Sequence, residues 1–77
     1  MRTENFSYEI VETIAVLSQN GNVTKELNRV IFNGYPVQYD IRRWSRNNGE
    51  EKLLKGITLT DEETRILKEA LNGRIDL

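Results

Sequence analysis

The chain has 77 residues, of which 38% are hydrophobic and 30% charged, and its formal net charge is −1. Such a short chain predicts a single domain over residues 1–77, with a small core that oligomerisation commonly supplements. It contains no cysteine and no histidine, which excludes disulfide bonds, the usual zinc ligand sets and the commonest general base. Without a run of about 20 apolar residues or a signal-peptide pattern, the expected location is the cytoplasm.

Three Asn-Gly pairs divide the part of the chain before Thr60 into four predicted β-strands. Asn-Gly between alternating apolar and polar residues is the strongest short-range signal for a hairpin, because both residues tolerate positive φ. The pairs are Asn20-Gly21, Asn33-Gly34 and Asn48-Gly49, and the strands are predicted at about 6–18, 23–32, 37–45 and 53–59. Glu12 interrupts the apolar face of the first strand, which predicts a β-bulge near residues 11–13.

A helix is predicted at about 61–72. Thr60 is a good N-cap, and Glu63 at the third helical position completes a capping box. The pair Asn72-Gly73 is expected to form the C-cap. One apolar stripe, the predicted dimer interface, consists of Ile66, Leu67, Ala70 and Leu71.

These elements predict an α+β fold, a four-stranded antiparallel meander followed by one C-terminal helix. Four strands about 4.8 Å apart form a sheet roughly 19 Å wide, whereas a helix is about 10 Å wide. One helix therefore covers only part of one sheet face, which favours a symmetric dimer.

The sequence contains no convincing catalytic or metal site. The acidic run Asp61-Glu62-Glu63 is explained by the preference of carboxylates for a helix N-terminus. There is no nucleophile motif and no glycine-rich phosphate loop. We therefore predict a protein that is not an enzyme and that needs no cofactor or metal.

Positive charge is concentrated in the middle of the chain. Residues 23–55 carry a net charge of +3, whereas residues 1–22 and 56–77 each carry −2. In the third strand, Asp40, Arg42 and Trp44 share one face. Aromatic rings interleaved with cations suit single-stranded nucleic acid, because bases stack on rings while cations contact phosphates. The alternative is that Trp44 is partly buried at the sheet edge or in a dimer contact, and that the cations are simply solvated.

Two segments carry a resemblance to a known family. YDIRRWS at residues 39–45 and KGITLTDEE at 55–63 resemble the single-stranded-DNA-binding domain of the positive cofactor four family of transcriptional coactivators. The chain looks closest to small stand-alone bacterial members of the YdbC type, and the similarity is strongest over residues 39–71. The resemblance implies a homodimer whose helices pack at the interface. It also implies a curved four-stranded sheet in each subunit, with single-stranded DNA running across the paired sheets.

The resemblance also implies binding residues. Family positions that bind DNA correspond to Arg42, Trp44 and Lys55, and Phe32 corresponds to a stacking aromatic at the end of the second strand. Charge and position add Lys25, Asn28, Arg29, Arg46 and Lys52 to the predicted nucleic-acid-binding set. Trp44 and Phe32 are expected to stack on bases, with the face of YDIRRWS turned outward.

The predicted function is binding of single-stranded DNA with little sequence preference, in transcription regulation or in DNA repair or replication. In a bacterium, the protein would be associated with the nucleoid. Two alternatives remain open. The sheet could instead dock another protein, or the ligand could be single-stranded RNA, because a stacking surface does not by itself select the sugar.

Overall fold

The computed structural model describes residues 6–74. The two termini of the predicted domain, residues 1–5 and 75–77, lie outside the described residues. The elements are β1 (Tyr8–Asn20), β2 (Val23–Phe32), β3 (Gln38–Asn47), β4 (Glu50–Leu59) and α1 (Asp61–Arg74). The strands form one antiparallel sheet in the order β1-β2-β3-β4. The predicted α+β class and strand order are confirmed.

The turns use the Asn-Gly pairs in different ways. Asn48 and Gly49 both have positive φ, 54° and 79°, and form the two-residue loop between β3 and β4. In the first hairpin Asn20 pairs with Val23, so Gly21 and Asn22 are the loop residues. Gly21 has a φ of 62°, and a glycine at the first loop position is typical of a type II′ turn. The loop therefore lies one residue later than the Asn-Gly pair itself.

The capping box of α1 is confirmed. Thr60 N donates to Glu63 Oε1 at 2.9 Å, and Glu63 N donates to Thr60 Oγ1 at 3.0 Å. The predicted C-cap is wrong, because Gly73 lacks positive φ and the helix continues to Arg74. Within residues 6–74, no helix is long and apolar enough to cross a membrane.

The sheet is strongly curved. The predicted irregularity near residues 11–13 is present, and the β1–β2 register shifts at two further places, between Thr13 and Ala15 and between Val16 and Ser18. Although β1 and β4 are opposite edges of the sheet, the Tyr8 hydroxyl donates to Glu51 Oε1 at 2.6 Å. We call the side enclosed by this curl the concave face; it carries Tyr8, Glu26, Asn28, Asp40, Arg42, Trp44, Arg46 and Glu51.

The opposite side of the sheet, which α1 partly covers, is called the helix face. It includes Lys25, Leu27, Ile41, Arg43 and Leu59. α1 contacts β3 and β4, and a groove of about 310 Å³ remains between the helix and the sheet. Its lining is apolar and contains Leu17, Leu27, Ile41, Leu59, Leu67 and Leu71.

The buried interior lies on the concave face and is largely polar. Among the described residues, Val30 and Trp44 are the only buried apolar side chains, while Glu26, Asn28 and Asp40 are also buried. A single chain thus buries little apolar surface, the main source of folding free energy.

Candidate nucleic-acid interface

Trp44 is buried, so the prediction that it faces outward is wrong. Its exposed fraction is 0%. The ring centroid lies 5.5 Å from that of Tyr8, and the Arg46 guanidinium carbon lies 5.5 Å from the Trp44 centroid. The physical reason is the curl of the sheet, which brings β1 over β3. In this conformation the Trp44 ring has no face open to a base.

Arg46 is held over Trp44 by carboxylates from two strands. Its Nη1 donates to Glu26 Oε2 at 2.7 Å, and its Nε donates to Glu51 Oε2 at 2.8 Å. Glu51 also accepts the hydrogen bond from Tyr8, so the network spans the sheet from edge to edge. We call Tyr8, Glu26, Arg46 and Glu51 the Arg46 network.

The pKa values of this network reflect its hydrogen bonds. Burial disfavours the charged form of Glu26, but hydrogen bonds from Arg46, Thr24 and Asn28 outweigh burial and lower its pKa to about 2. The hydrogen bond from Tyr8, followed by that from Arg46, lowers the pKa of Glu51. The same contact with Glu51 raises the pKa of Tyr8. Both carboxylates are therefore charged at neutral pH.

Arg42 is similarly engaged. Its Nε and Nη2 donate to the two carboxylate oxygens of buried Asp40, each at 2.9 Å, and its Nη1 donates to the Leu54 carbonyl at 3.0 Å. Thr58 also donates to Asp40, at 3.0 Å. This bidentate arrangement fixes the guanidinium plane. A phosphate that binds Arg42 would therefore meet a guanidinium that is already paired with Asp40.

Asn28, which was predicted to bind nucleic acid, is buried as well. It lies directly opposite Asp40 on β3 and donates from Nδ2 to Glu26 Oε1 at 3.1 Å. Asn28 Oδ1 and Trp44 Nε1 are buried without a hydrogen-bond partner among the described residues. In this conformation Asn28 supports the concave face from within.

An accessible aromatic surface lies at the other end of β2. Phe6 is 57% exposed and stacks on half-buried Phe32, with ring centroids 6.2 Å apart. The Arg42 guanidinium carbon lies 5.3 Å from the Phe32 centroid. We call Phe6, Phe32 and Arg42 the aromatic platform. Phe6 was not among the predicted binding residues, because it alternates in register with the apolar residues Tyr8 and Ile10 of the first predicted strand.

Apart from Arg42, the predicted cations lie away from the two phenyl rings of the platform. Lys25 and Lys55 line a groove on the helix face together with Arg43, which was not predicted. Arg29 lies over the Tyr39 ring at 5.7 Å and is 3.9 Å from Glu12. Lys52 is exposed and pairs with Ser45 across β3 and β4. The tandem Arg42-Arg43 could have predicted the role of Arg43. Consecutive strand residues point to opposite faces, so two adjacent arginines place one cation on each face of the sheet.

The predicted dimer interface remains uncovered in the single chain. Ile66, Leu67 and Leu71 are exposed large apolar side chains, and Ala70 is also exposed. Leu67 and Leu71 line the apolar groove between α1 and the sheet. No group of three or more side chains in residues 6–74 is arranged to hold a metal ion.

Comparison with known proteins shows the family of this chain. The family described as "Transcriptional Coactivator p15 (PC4)" matches residues 20–70, which include β2, β3, β4 and most of α1. An uncharacterised protein from Treponema pallidum (strain Nichols) is 40% identical over 71 residues, covering 91% of this chain and 81% of that protein. The chain therefore belongs to the family of the transcriptional coactivator p15 (PC4).

Proposed function

We propose that this protein is a homodimeric, non-enzymatic single-stranded-DNA-binding protein with little sequence preference. The family is known for single-stranded DNA binding and transcription coactivation. The structural observation that carries the proposal is the aromatic platform, in which exposed Phe6 and half-buried Phe32 lie beside the Arg42 guanidinium. The protein would act where single strands are exposed, in transcription, repair or replication.

The platform provides the two contacts that a single strand needs. An exposed phenyl ring offers a face on which any base can stack, contributing roughly 1–3 kcal/mol per base without reading its identity. Arg42 is held by Asp40 with its guanidinium carbon 5.3 Å from the Phe32 centroid, so it is positioned beforehand for a phosphate next to the stacked base. Stacking that tolerates every base explains the expected lack of sequence preference.

The apolar surface of α1 supports a homodimer. Leu67 and Leu71 are 38% and 43% exposed, although they belong to the stripe that a helix normally buries. A second copy packed on this stripe would extend the small core. Two copies would also present two aromatic platforms to one DNA strand, which raises affinity through effective concentration.

The proposal is tested by substituting Phe32. Binding of a fluorescein-labelled 20-nucleotide oligo-dT is followed by anisotropy for wild type, Phe32→Ala and Phe32→Tyr. We expect Phe32→Ala to weaken binding by roughly 1–3 kcal/mol and Phe32→Tyr, which keeps a stacking ring, to bind like wild type. Circular dichroism establishes that both variants remain folded. Equal affinity of all three proteins would remove Phe32 from the binding surface.

A further inference from the structure

We infer that the groove on the helix face lined by Lys25, Arg43 and Lys55 binds the phosphate backbone of nucleic acid. We call it the basic groove; Ile41, Arg42, Gly56 and Ile57 complete its lining, and its volume is about 250 Å³. The inference rests on the proposed function, but it adds a second contact surface, which lies on the helix face and meets the aromatic platform only at Arg42.

The first argument is electrostatic. Lys25 and Arg43 are direct cross-strand partners in the β2–β3 register. Like charges in this position repel and destabilise a sheet. Neither side chain has a carboxylate within ion-pair distance among the described residues, whereas Arg29, Arg42, Arg46 and Arg65 each have one. The fold therefore leaves two adjacent positive charges without a counter-charge, and an anionic ligand would neutralise them.

The second argument is the shape and chemistry of the surface. The basic groove adjoins a second groove of about 490 Å³, and Lys25 and Arg43 line both. The second groove extends toward the β1–β2 turn and is lined by Ser18, Asn20, Val23 and Thr24. Hydroxyl and amide groups donate to phosphate oxygens as lysine and arginine do. No aspartate or glutamate lines either groove.

The third argument concerns the kind of anion. Two adjoining grooves that share Lys25 and Arg43 form a track longer than one phosphate group, which fits a repeating polyanion. The apolar groove beside α1 shares only Ile41 with this track, so Lys25 and Arg43 lie outside the apolar surface that a dimer through α1 would bury. A nucleic-acid backbone is therefore the ligand class that fits the track.

The test uses the salt dependence of binding. The affinity for the labelled 20-nucleotide oligo-dT is measured between 50 and about 300 mM NaCl for wild type, Arg43→Gln, Lys25→Gln and the double variant. Each lost phosphate contact lowers the magnitude of the slope of log K against log salt by about 0.7, so we expect about that for each single variant and about twice that for the double. Arg65→Gln, which removes the same charge from the exposed helix, is the matched control and should leave the slope unchanged.

A stability measurement separates binding from a structural role. Because Arg43→Gln removes a like-charge contact, we expect its melting temperature at low salt to equal or exceed that of wild type while its DNA affinity falls. If Arg43 had only a structural role, Arg43→Gln would instead lower the melting temperature.

Three results would overturn the inference, each in a different way. An unchanged salt slope in Arg43→Gln, together with weaker binding by Phe32→Ala, would contradict the role of the groove and would support the proposed function. Absence of oligo-dT binding by wild type at low salt would contradict both the role of the groove and the proposed function. Tighter Arg43-dependent binding of poly-glutamate than of oligo-dT would assign the groove to an acidic protein partner.

Discussion

At the scale of single residues, the Arg46 network determines what Trp44 can do. Trp44 is the only tryptophan, so its fluorescence reports this one site. The guanidinium of Arg46 covers the indole, and Glu26 and Glu51 hold that guanidinium in place. Two charge-assisted contacts on a half-exposed arginine fix its position more firmly than one would.

The burial of Trp44 predicts weak quenching by acrylamide in the free protein. Glu51→Gln weakens the contacts of Tyr8 and Arg46 at once, so we expect a larger quenching constant in this variant. Glu50→Gln changes the neighbouring exposed carboxylate and is the control. Quenching of wild type as strong as that of the unfolded chain would contradict the buried position.

The lowered pKa of Glu26 and Glu51 predicts a loss of stability in acid. A carboxylate whose folded pKa lies below its ordinary value of 4.5 stabilises the fold above that value. This contribution is lost as the pH falls through the folded pKa, which for Glu26 is about 2. We therefore expect the free energy of unfolding to fall between about pH 5 and pH 2.

Urea titrations at a fixed protein concentration measure this pH dependence. In Glu26→Gln the fall should be shallower than in wild type, while Glu50→Gln should follow wild type. A free energy of unfolding that is constant from pH 5 to pH 2 would contradict the account of the network.

At the scale of elements, a glycine sets the distance between β3 and β4. A Cβ at Gly56 would lie 2.5 Å from Arg42 Cβ and 2.6 Å from the Ile41 carbonyl oxygen. The β3–β4 register shifts just beyond this pair, between Arg42 and Trp44. The close approach of the strands thus fixes the backbone at the point where Arg42 turns toward Asp40 and Phe32.

Gly56→Ala should therefore destabilise the protein by about 1–3 kcal/mol, the usual cost of overpacking, and should disturb Arg42. Gly73→Ala is the matched control, because a Cβ there meets nothing within 4 Å and alanine favours a helix. Thermal unfolding measures both variants. Equal melting temperatures for Gly56→Ala and wild type would show that β3 and β4 accommodate the added methyl group without loss of stability, which would contradict this prediction.

Local signals predicted the elements better than the site. The Asn-Gly pairs and the Thr60–Glu63 box act over a few residues, so the three hairpins and the helix start were readable from sequence. The alternation of side chains along a strand also placed Asp40, Arg42 and Trp44 on one face of β3. Whether that face is open depends on the curl that brings Tyr8 near Glu51, 43 positions apart, and no local pattern encodes this curl.

At the scale of the whole molecule, the single chain lacks an adequate apolar core. Val30 and Trp44 are its buried apolar side chains within the described residues, while the stripe of α1 remains exposed. Homodimerisation through α1 is the simplest way to bury this stripe. The aromatic platform and the basic groove lie outside this stripe.

This assembly predicts a dimer in solution whose melting temperature rises with protein concentration. Leu71→Asp should shift the mass measured by light scattering toward the monomer and lower the melting temperature. Val11→Asp places the same charge at a β1 residue of similar exposure, 46% against 43%, and is the control. A monomeric wild type whose melting temperature is independent of concentration would contradict the dimer.

The most direct test of the proposed function is competition between nucleic acids for the wild-type protein. Labelled 20-nucleotide oligo-dT is bound at low salt, and unlabelled single-stranded DNA, duplex DNA and oligo-U of the same length are added in separate titrations. We predict that single-stranded DNA displaces the probe at much lower concentration than the duplex, because only unpaired bases can stack on Phe6 and Phe32. Equal displacement by the duplex would contradict recognition of unpaired bases, and tighter binding of oligo-U would assign the platform to RNA.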